Sequence, residues 1–193
     1  FLPDFVSEFK ERYPEFWGKE IKEPFDVYYK TEIGRIAMGL NFGLKDSISH
    51  VVQLQNFLIS CKGPSDVFLE MEMNKAFRDK YDEIRKKYTS LLKEAKESES
   101  GKVISLVYSG DLSISSDLSN ALSYLYLDKY ILVAYKKGVI TNISMRGKSV
   151  KKILEKILKK IENASGGGHE NAVGARIRTE DLDKFMEILE KEI

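Results

Sequence analysis

The stretch Asn142–Arg176, NISMRGKSVKKILEKILKKIENASGGGHENAVGAR, changes its period twice. NISMR alternates. Side chains point to opposite faces along a strand, so Ile143 and Met145 share one face and Asn142, Ser144 and Arg146 the other. From Ser149 to Asn163, Val150, Ile153, Leu154, Ile157, Leu158 and Ile161 recur at steps of three and four. That spacing predicts an amphipathic helix with its lysines on the far face. Gly166, Gly167 and Gly168 interrupt the pattern, and a short strand is predicted near Ala172 to Ile177. A strand, a helix crossing back and another strand make the start of an α/β layer.

Working outward, VISLVY (Val103–Tyr108) has a buried-strand pattern and Ser116 to Leu127 a helical one. YILVAYK (Tyr130–Lys136) and VITNISMR (Val139–Arg146) predict two strands joined by a tight turn at Lys137-Gly138. Thr179 is placed to cap a last helix reaching Glu192. The order β-α-β-β-α-β-α predicts a mixed β-sheet covered by helices over residues 101–193.

Upstream, Phe77, Tyr81, Ile84, Tyr88, Leu91 and Ala95 form one apolar stripe. With CKGP (Cys61–Pro64) as a stop and Ser65 as an N-cap, one helix is predicted from Ser65 to Glu97, about 50 Å long. It reads as a connector over residues 64–100, and SESGK (Ser98–Lys102) as the boundary that ends it. Residues 1–63 read as a mostly helical, partly irregular region from the linker side of an upstream domain, with helices near Glu32–Leu40 and Ser47–Ile59. PEFWGKEIKEPFDVYYK (Pro14–Lys30) is aromatic-rich and broken by prolines.

The 193 residues are 42% hydrophobic and 32% charged, the balance of a soluble globular protein. No apolar run approaches the roughly 20 residues of a membrane span, so no membrane partner is expected. The single cysteine, Cys61, excludes an internal disulfide and fits a reducing cytoplasm. Abundant Lys, Glu and Ile hint at a thermophile. Net charge is +1, yet the segment from Lys129 to Glu162 carries +8 and the rest −7. Such asymmetry points to an anionic partner.

Several elements could grip an anion. Ser144 and Arg146 put a hydroxyl and a planar fork of donors on one strand face; the plain alternative is a strand with its polar face in water. The three glycines leave their amides open to close approach by an anion; the alternative is a helix C-cap with Gly166 in the left-handed conformation, for which one glycine suffices. His169 could donate to the same anion or be structural. Lys148, Lys151 and Lys152, with Asn142, could contact a nucleic-acid backbone, or the lysines could simply be solvated. His50 and Cys61 read as core. Asp181 and Asp183 look like a capping first turn. No P-loop lysine motif, G-x-S-x-G, Cys-His pair or carboxylate-histidine cluster is present, so no catalytic residue is assigned and no di-metal site can be assembled.

Taken together, Ser144-Met145-Arg146, the helix, Gly166-Gly167-Gly168-His169 and Ala172-Val173-Gly174-Ala175 resemble the C-terminal DHH-associated domain of DHH-family phosphoesterases. The long helix and NFGLKDSISHVVQ (Asn41–Gln53) are similar to the connector of RecJ-type exonucleases, most of all the archaeal branch with its GINS-associated nuclease. The resemblance implies that Ser144, Arg146, Gly166, Gly167, Gly168 and His169 bind substrate, holding the terminal phosphate or backbone of single-stranded DNA or RNA. It implies manganese in a separate Asp-His-His catalytic domain, whose signature this sequence lacks, and no cofactor in this chain. Expected partners are that upstream DHH domain, the single strand and GINS. Two alternatives stay open: a catalytically inactive RecJ-like replication factor that binds GINS, and an oligoribonucleotide or nucleotide phosphatase of the same superfamily.

Overall fold

The computed structural model describes residues 3–18, 21–22, 24–98 and 101–193. Residues 99 and 100 of the expected Ser98–Lys102 boundary, and residues 19, 20 and 23 of the aromatic N-terminal stretch, lie outside the described residues. The chain divides into two compact units, Phe1–Lys86 and Lys87–Ile193.

The first unit is helical: α1 (Pro3–Arg12), α2 (Pro24–Lys30), α3 (Glu32–Gly43), α4 (Ile48–Ser60) and the first part of α5 (Lys75–Glu97). Thr31 caps α3, its hydroxyl accepting the Gly34 N–H at 3.0 Å, and Ser47 caps α4. Phe16, Ile36, Leu54, Phe57, Val67 and Phe77 form the core. The predicted helix start at Ser65 is corrected. Pro64–Phe68 and Glu72–Asn74 are single 3-10 turns, and the α-helix begins only at Lys75. Asn74 is the reason. Buried to 1% exposure, its amide donates to the Val67 and Leu69 carbonyls, and its oxygen accepts from Met71 N–H. A carboxamide that satisfies the backbone this way competes with helix upstream of itself. The helix is then continuous for 23 residues, about 35 Å. Phe77, Tyr81 and Ile84 of its stripe are buried, as are Tyr88 and Ala95. His50 is not core. It is exposed, its Nδ1 2.9 Å from Asp46 Oδ2. Cys61 is half-buried, and burial pushes its thiol pKa up.

The second unit is a five-stranded mixed sheet in the order β1-β2-β3-β5-β4: β1 (Val103–Ser109), β2 (Tyr130–Lys137), β3 (Ile140–Arg146), β4 (Ser165–His169) and β5 (Ala172–Arg178). β1 and β2 are parallel, joined through α6 (Ser115–Leu125); the other pairs are antiparallel. α7 (Val150–Leu158) and α8 (Leu182–Glu192) cover one face, packing Val150, Leu154, Ile157, Phe185 and Leu189 on Leu132, Ile143, Met145, Val173 and Ile177. The α/β expectation therefore holds, with one strand more than expected: the glycines form edge strand β4. α7 is shorter than expected, and Asn163, not Gly166, takes the left-handed conformation after it (φ 55°). Thr179 does not cap α8. Its hydroxyl donates to Gly138 O at 2.9 Å and lies 3.0 Å from Thr141 Oγ1, tying the chain before α8 to the β2–β3 turn.

Candidate functional site

Residues that pair across a sheet share a face. The registers of β3, β5 and β4 therefore set three rows on the face opposite α7 and α8. One row is Arg146–Ala172–His169, the next Ser144–Gly174–Gly167, the third Asn142–Arg176–Ser165. These rows line a cleft of about 550 Å³, joined by Ser115 and Ser116, the first two residues of α6. The middle row is floored by bare backbone at Gly174 and Gly167, with polar or cationic side chains on either side.

Arg146 is held in place. Its Nε donates to Asn120 Oδ1 (2.8 Å), and its Nη1 to Ser144 Oγ (3.1 Å) and Met145 O (2.7 Å). The Ser119 hydroxyl donates to Ser116 O (3.1 Å), so its 2.9 Å contact with Ser144 Oγ is accepted from Ser144. The Ser144 hydroxyl, buried with only 5% of the residue exposed, thus passes its proton toward α6 and presents a lone pair to Arg146. Such a relay fixes a long cation that would otherwise lose rotamer entropy on binding.

Two tyrosines position the start of α6. Tyr108 Oη accepts the Ile114 N–H at 2.7 Å, and Tyr135 Oη donates to Gly110 O at 2.6 Å, with ring centroids 5.2 Å apart. Burial pushes the Tyr108 phenol pKa up, while the hydrogen bond from Ile114 pulls it down. The unsatisfied N–H groups and positive dipole end of a helix favour an anion, and this end opens on the cleft.

Packing requires glycine at two of the three positions from Gly166 to Gly168. A Cβ on Gly166 would stand 2.6 Å from Gly174 O, and one on Gly168, whose φ is +144°, 2.5 Å from Ala172 O. Close pairing with β5 excludes a side chain at both. A Cβ on Gly167 would meet nothing within 4 Å, and one on Gly174 only Ile143 O at 3.7 Å. Packing asks for glycine at neither.

His169 closes the row that starts at Arg146, two strands and so about 9.6 Å away by backbone. It is exposed, and its imidazole has no hydrogen-bond partner among the described residues. Lys148, Lys151 and Lys152 are exposed but are not among the residues lining the cleft. Their stretch is tied to the β4–β5 turn, where Asn171 Oδ1 accepts Ser149 N–H (2.9 Å) and Glu170 O accepts Lys151 N–H (3.0 Å). Sequence reading missed Arg176, Asn120 and the Ser115–Ser116 helix start. For Arg176 the signal was present: Ala172, Gly174 and Arg176 alternate against the apolar Val173, Ala175 and Ile177. Among the described residues no three His, Cys, Asp or Glu side chains are placed to share a metal ion. No described helix is long and apolar enough to cross a membrane.

The DHHA1 domain family matches residues 101–193, and no curated protein matches the chain. Among solved structures, RecJ from Thermus thermophilus in complex with Mg2+ is 12% identical with a TM-score of 0.62, over 87% of this chain and 25% of that one. Exonuclease RecJ bound to manganese is 14% identical, TM-score 0.59, over 88% and 41%. CDC45 from Entamoeba histolytica is 15% identical, TM-score 0.50, over 98% and 44%. The chain spans a quarter to under half of these structures' length, and the shared fold reaches well beyond residues 101–193. Residues 101–193 are thus a DHHA1 domain, carried in this chain behind a helical region whose fold RecJ shares.

Proposed function

We propose that the cleft holds a terminal phosphate of a single-stranded nucleic acid, and that the chain is the substrate-binding part of a DHH-family exonuclease. The observation that carries this is the bare middle row. Gly167 and Gly174 are glycines where packing leaves room for a side chain, and Arg146 and His169 stand at the two ends of the adjoining row. A nucleotide backbone lying on the glycines would meet a pre-oriented guanidinium, an imidazole and the amide end of α6, an arrangement suited to phosphate. In this reading Ser144 acts through Arg146, and the glycines serve as a floor more than as an anion nest. Cleavage, with its manganese, belongs to the upstream domain that the family resemblance implies.

Fluorescence anisotropy with labelled oligothymidylates tests the proposal. The chain binds a 5′-phosphorylated strand more tightly than its unphosphorylated counterpart. Arg146→Ala weakens the phosphorylated complex by about 1.5–3 kcal/mol, roughly ten- to a hundredfold, and the other complex less. Equal losses would mean general attraction to the backbone. The reading as an inactive replication factor that binds GINS predicts no discrimination between the strands and capture of GINS by this chain. The nucleotide-phosphatase reading predicts that a mononucleotide binds as tightly as a strand.

A further inference from the structure

Arg176 stands in the third row, between Asn142 and Ser165, on the side of the glycines away from His169. It is exposed and makes no hydrogen bond or ion pair among the described residues. Its neighbour on the same face, Arg178, donates to Glu180 Oε1 at 3.2 Å and is neutralised within the chain. Along this strand face, then, the cation beyond the cleft has a counterion and the cation in the cleft has none.

The rows of Arg146 and Arg176 lie four residues apart along the sheet, about 13–14 Å. Between them is the bare glycine row. The cleft therefore presents cation, flat neutral floor, cation. Arg146 leans over the middle row, its Nη1 3.1 Å from Ser144 Oγ, which narrows the gap from its guanidinium to the Arg176 row to roughly 7 Å, two residues of strand. The complement is an anion, a flat neutral unit and a second anion: phosphate, sugar, phosphate. Asn142 and Ser165 add an amide and a hydroxyl on either side of Arg176, so the second anion meets donors from three strands.

Resting on the reading of the cleft as a phosphate site, we infer that Arg176 grips a second phosphate. The end phosphate lies at Arg146 and His169, the first internucleotide phosphate at Arg176, and the linking sugar over Gly174 and Gly167. The site then recognises a strand and discriminates against a mononucleotide. Arg176 is a specificity-determining residue without a part in chemistry.

Titration calorimetry of the 193-residue chain with thymidine 5′-phosphate and with a 5′-phosphorylated thymidine trinucleotide tests this. The wild type binds the trinucleotide more tightly. Arg176→Gln weakens the trinucleotide about tenfold and leaves the mononucleotide unchanged. A neutral methylphosphonate at the first internucleotide linkage causes the same loss in the wild type and no further loss in the variant, as expected of two partners in one contact. An unchanged trinucleotide affinity in Arg176→Gln, or equal losses for both ligands, overturns the inference while leaving the phosphate site intact. If Arg146→Ala leaves both ligands unaffected, or the wild type binds neither, the phosphate site itself is wrong and the inference falls with it.

Discussion

Strands β3 and β5 carry two faces that share a backbone and almost nothing else. One face is Ile143, Met145, Val173, Ala175 and Ile177, buried under α7 and α8. The other is Asn142, Ser144, Arg146, Gly174 and Arg176, open on the cleft. Because side chains alternate with a period of 2, each residue is committed to one face, and a slip of one residue would exchange them. The first face is chosen by packing, since each side chain there removes apolar surface from water. The second is chosen by something packing does not explain. It includes a glycine, Gly174, with space above it and an arginine fixed by a hydroxyl relay. The difference teaches where stability and binding should separate under mutation.

The largest effect is expected on the covered face. Phe185, 0% exposed, anchors α8 against it. Phe185→Ala should lower stability by about 3–5 kcal/mol in urea unfolding, while the fraction that remains folded binds strands as before. A large affinity loss in correctly folded Phe185→Ala protein would break the separation. On the open face, His169→Ala should lower affinity for a 5′-phosphorylated strand by about tenfold, the scale of one charged hydrogen bond. Its melting temperature should stay within about a degree, since the imidazole has no hydrogen-bond partner among the described residues to lose. A steep fall in melting temperature would show that His169 serves the fold.

The smallest effect concerns pH. Burial raises the Tyr108 pKa above its ordinary value. A raised pKa in the folded state means that the folded state holds the proton longer. The stability this contributes is fully present below the unfolded value, about 10, and is lost as pH rises through the folded one. Unfolding of the wild type should therefore steepen above pH 10, and Tyr108→Phe should remove that part of the slope. An identical slope in the variant would detach Tyr108 from the α6 start that it holds.

Most of this fold was legible wherever side chains carry it. The α7 stripe, the alternation of β3 and the apolar run of β1 each announce their element by period alone. β4 was not legible, because SGGGH has no apolar alternation and low β-propensity. It is a strand only through backbone pairing with β5, and its glycines look like a break in the chain. The start of α5 was hidden for a related reason. The apolar stripe does not mark its own beginning, which depends on the hydrogen bonds of one buried amide, Asn74. At the site, Ser144, Arg146 and His169 could be named because they lie in recognisable motifs. Arg176 sits in no motif, and its membership of the cleft follows from the three-strand register. Asn120 and Ser119 reach Arg146 and Ser144 from a separate helix, a proximity only the tertiary structure creates. Lys148, Lys151 and Lys152 were named by charge; they stand around the start of α7 and do not line the cleft.

The central claim is that Gly167 is glycine for a ligand and Gly168 is glycine for the fold. Alanine at each position, measured for both thermal unfolding and strand binding, tests it most directly. Gly167→Ala places its Cβ in open space at a position without positive φ. It should keep or slightly raise the melting temperature, by up to about 1 kcal/mol in stability, and should weaken the 5′-phosphorylated strand at least tenfold. Gly168→Ala must strain a φ of +144° and press on Ala172 O, and should lose at least about 1–3 kcal/mol of stability. If Gly167→Ala binds the strand as well as the wild type does, the bare row is not the floor of a binding site and the account fails.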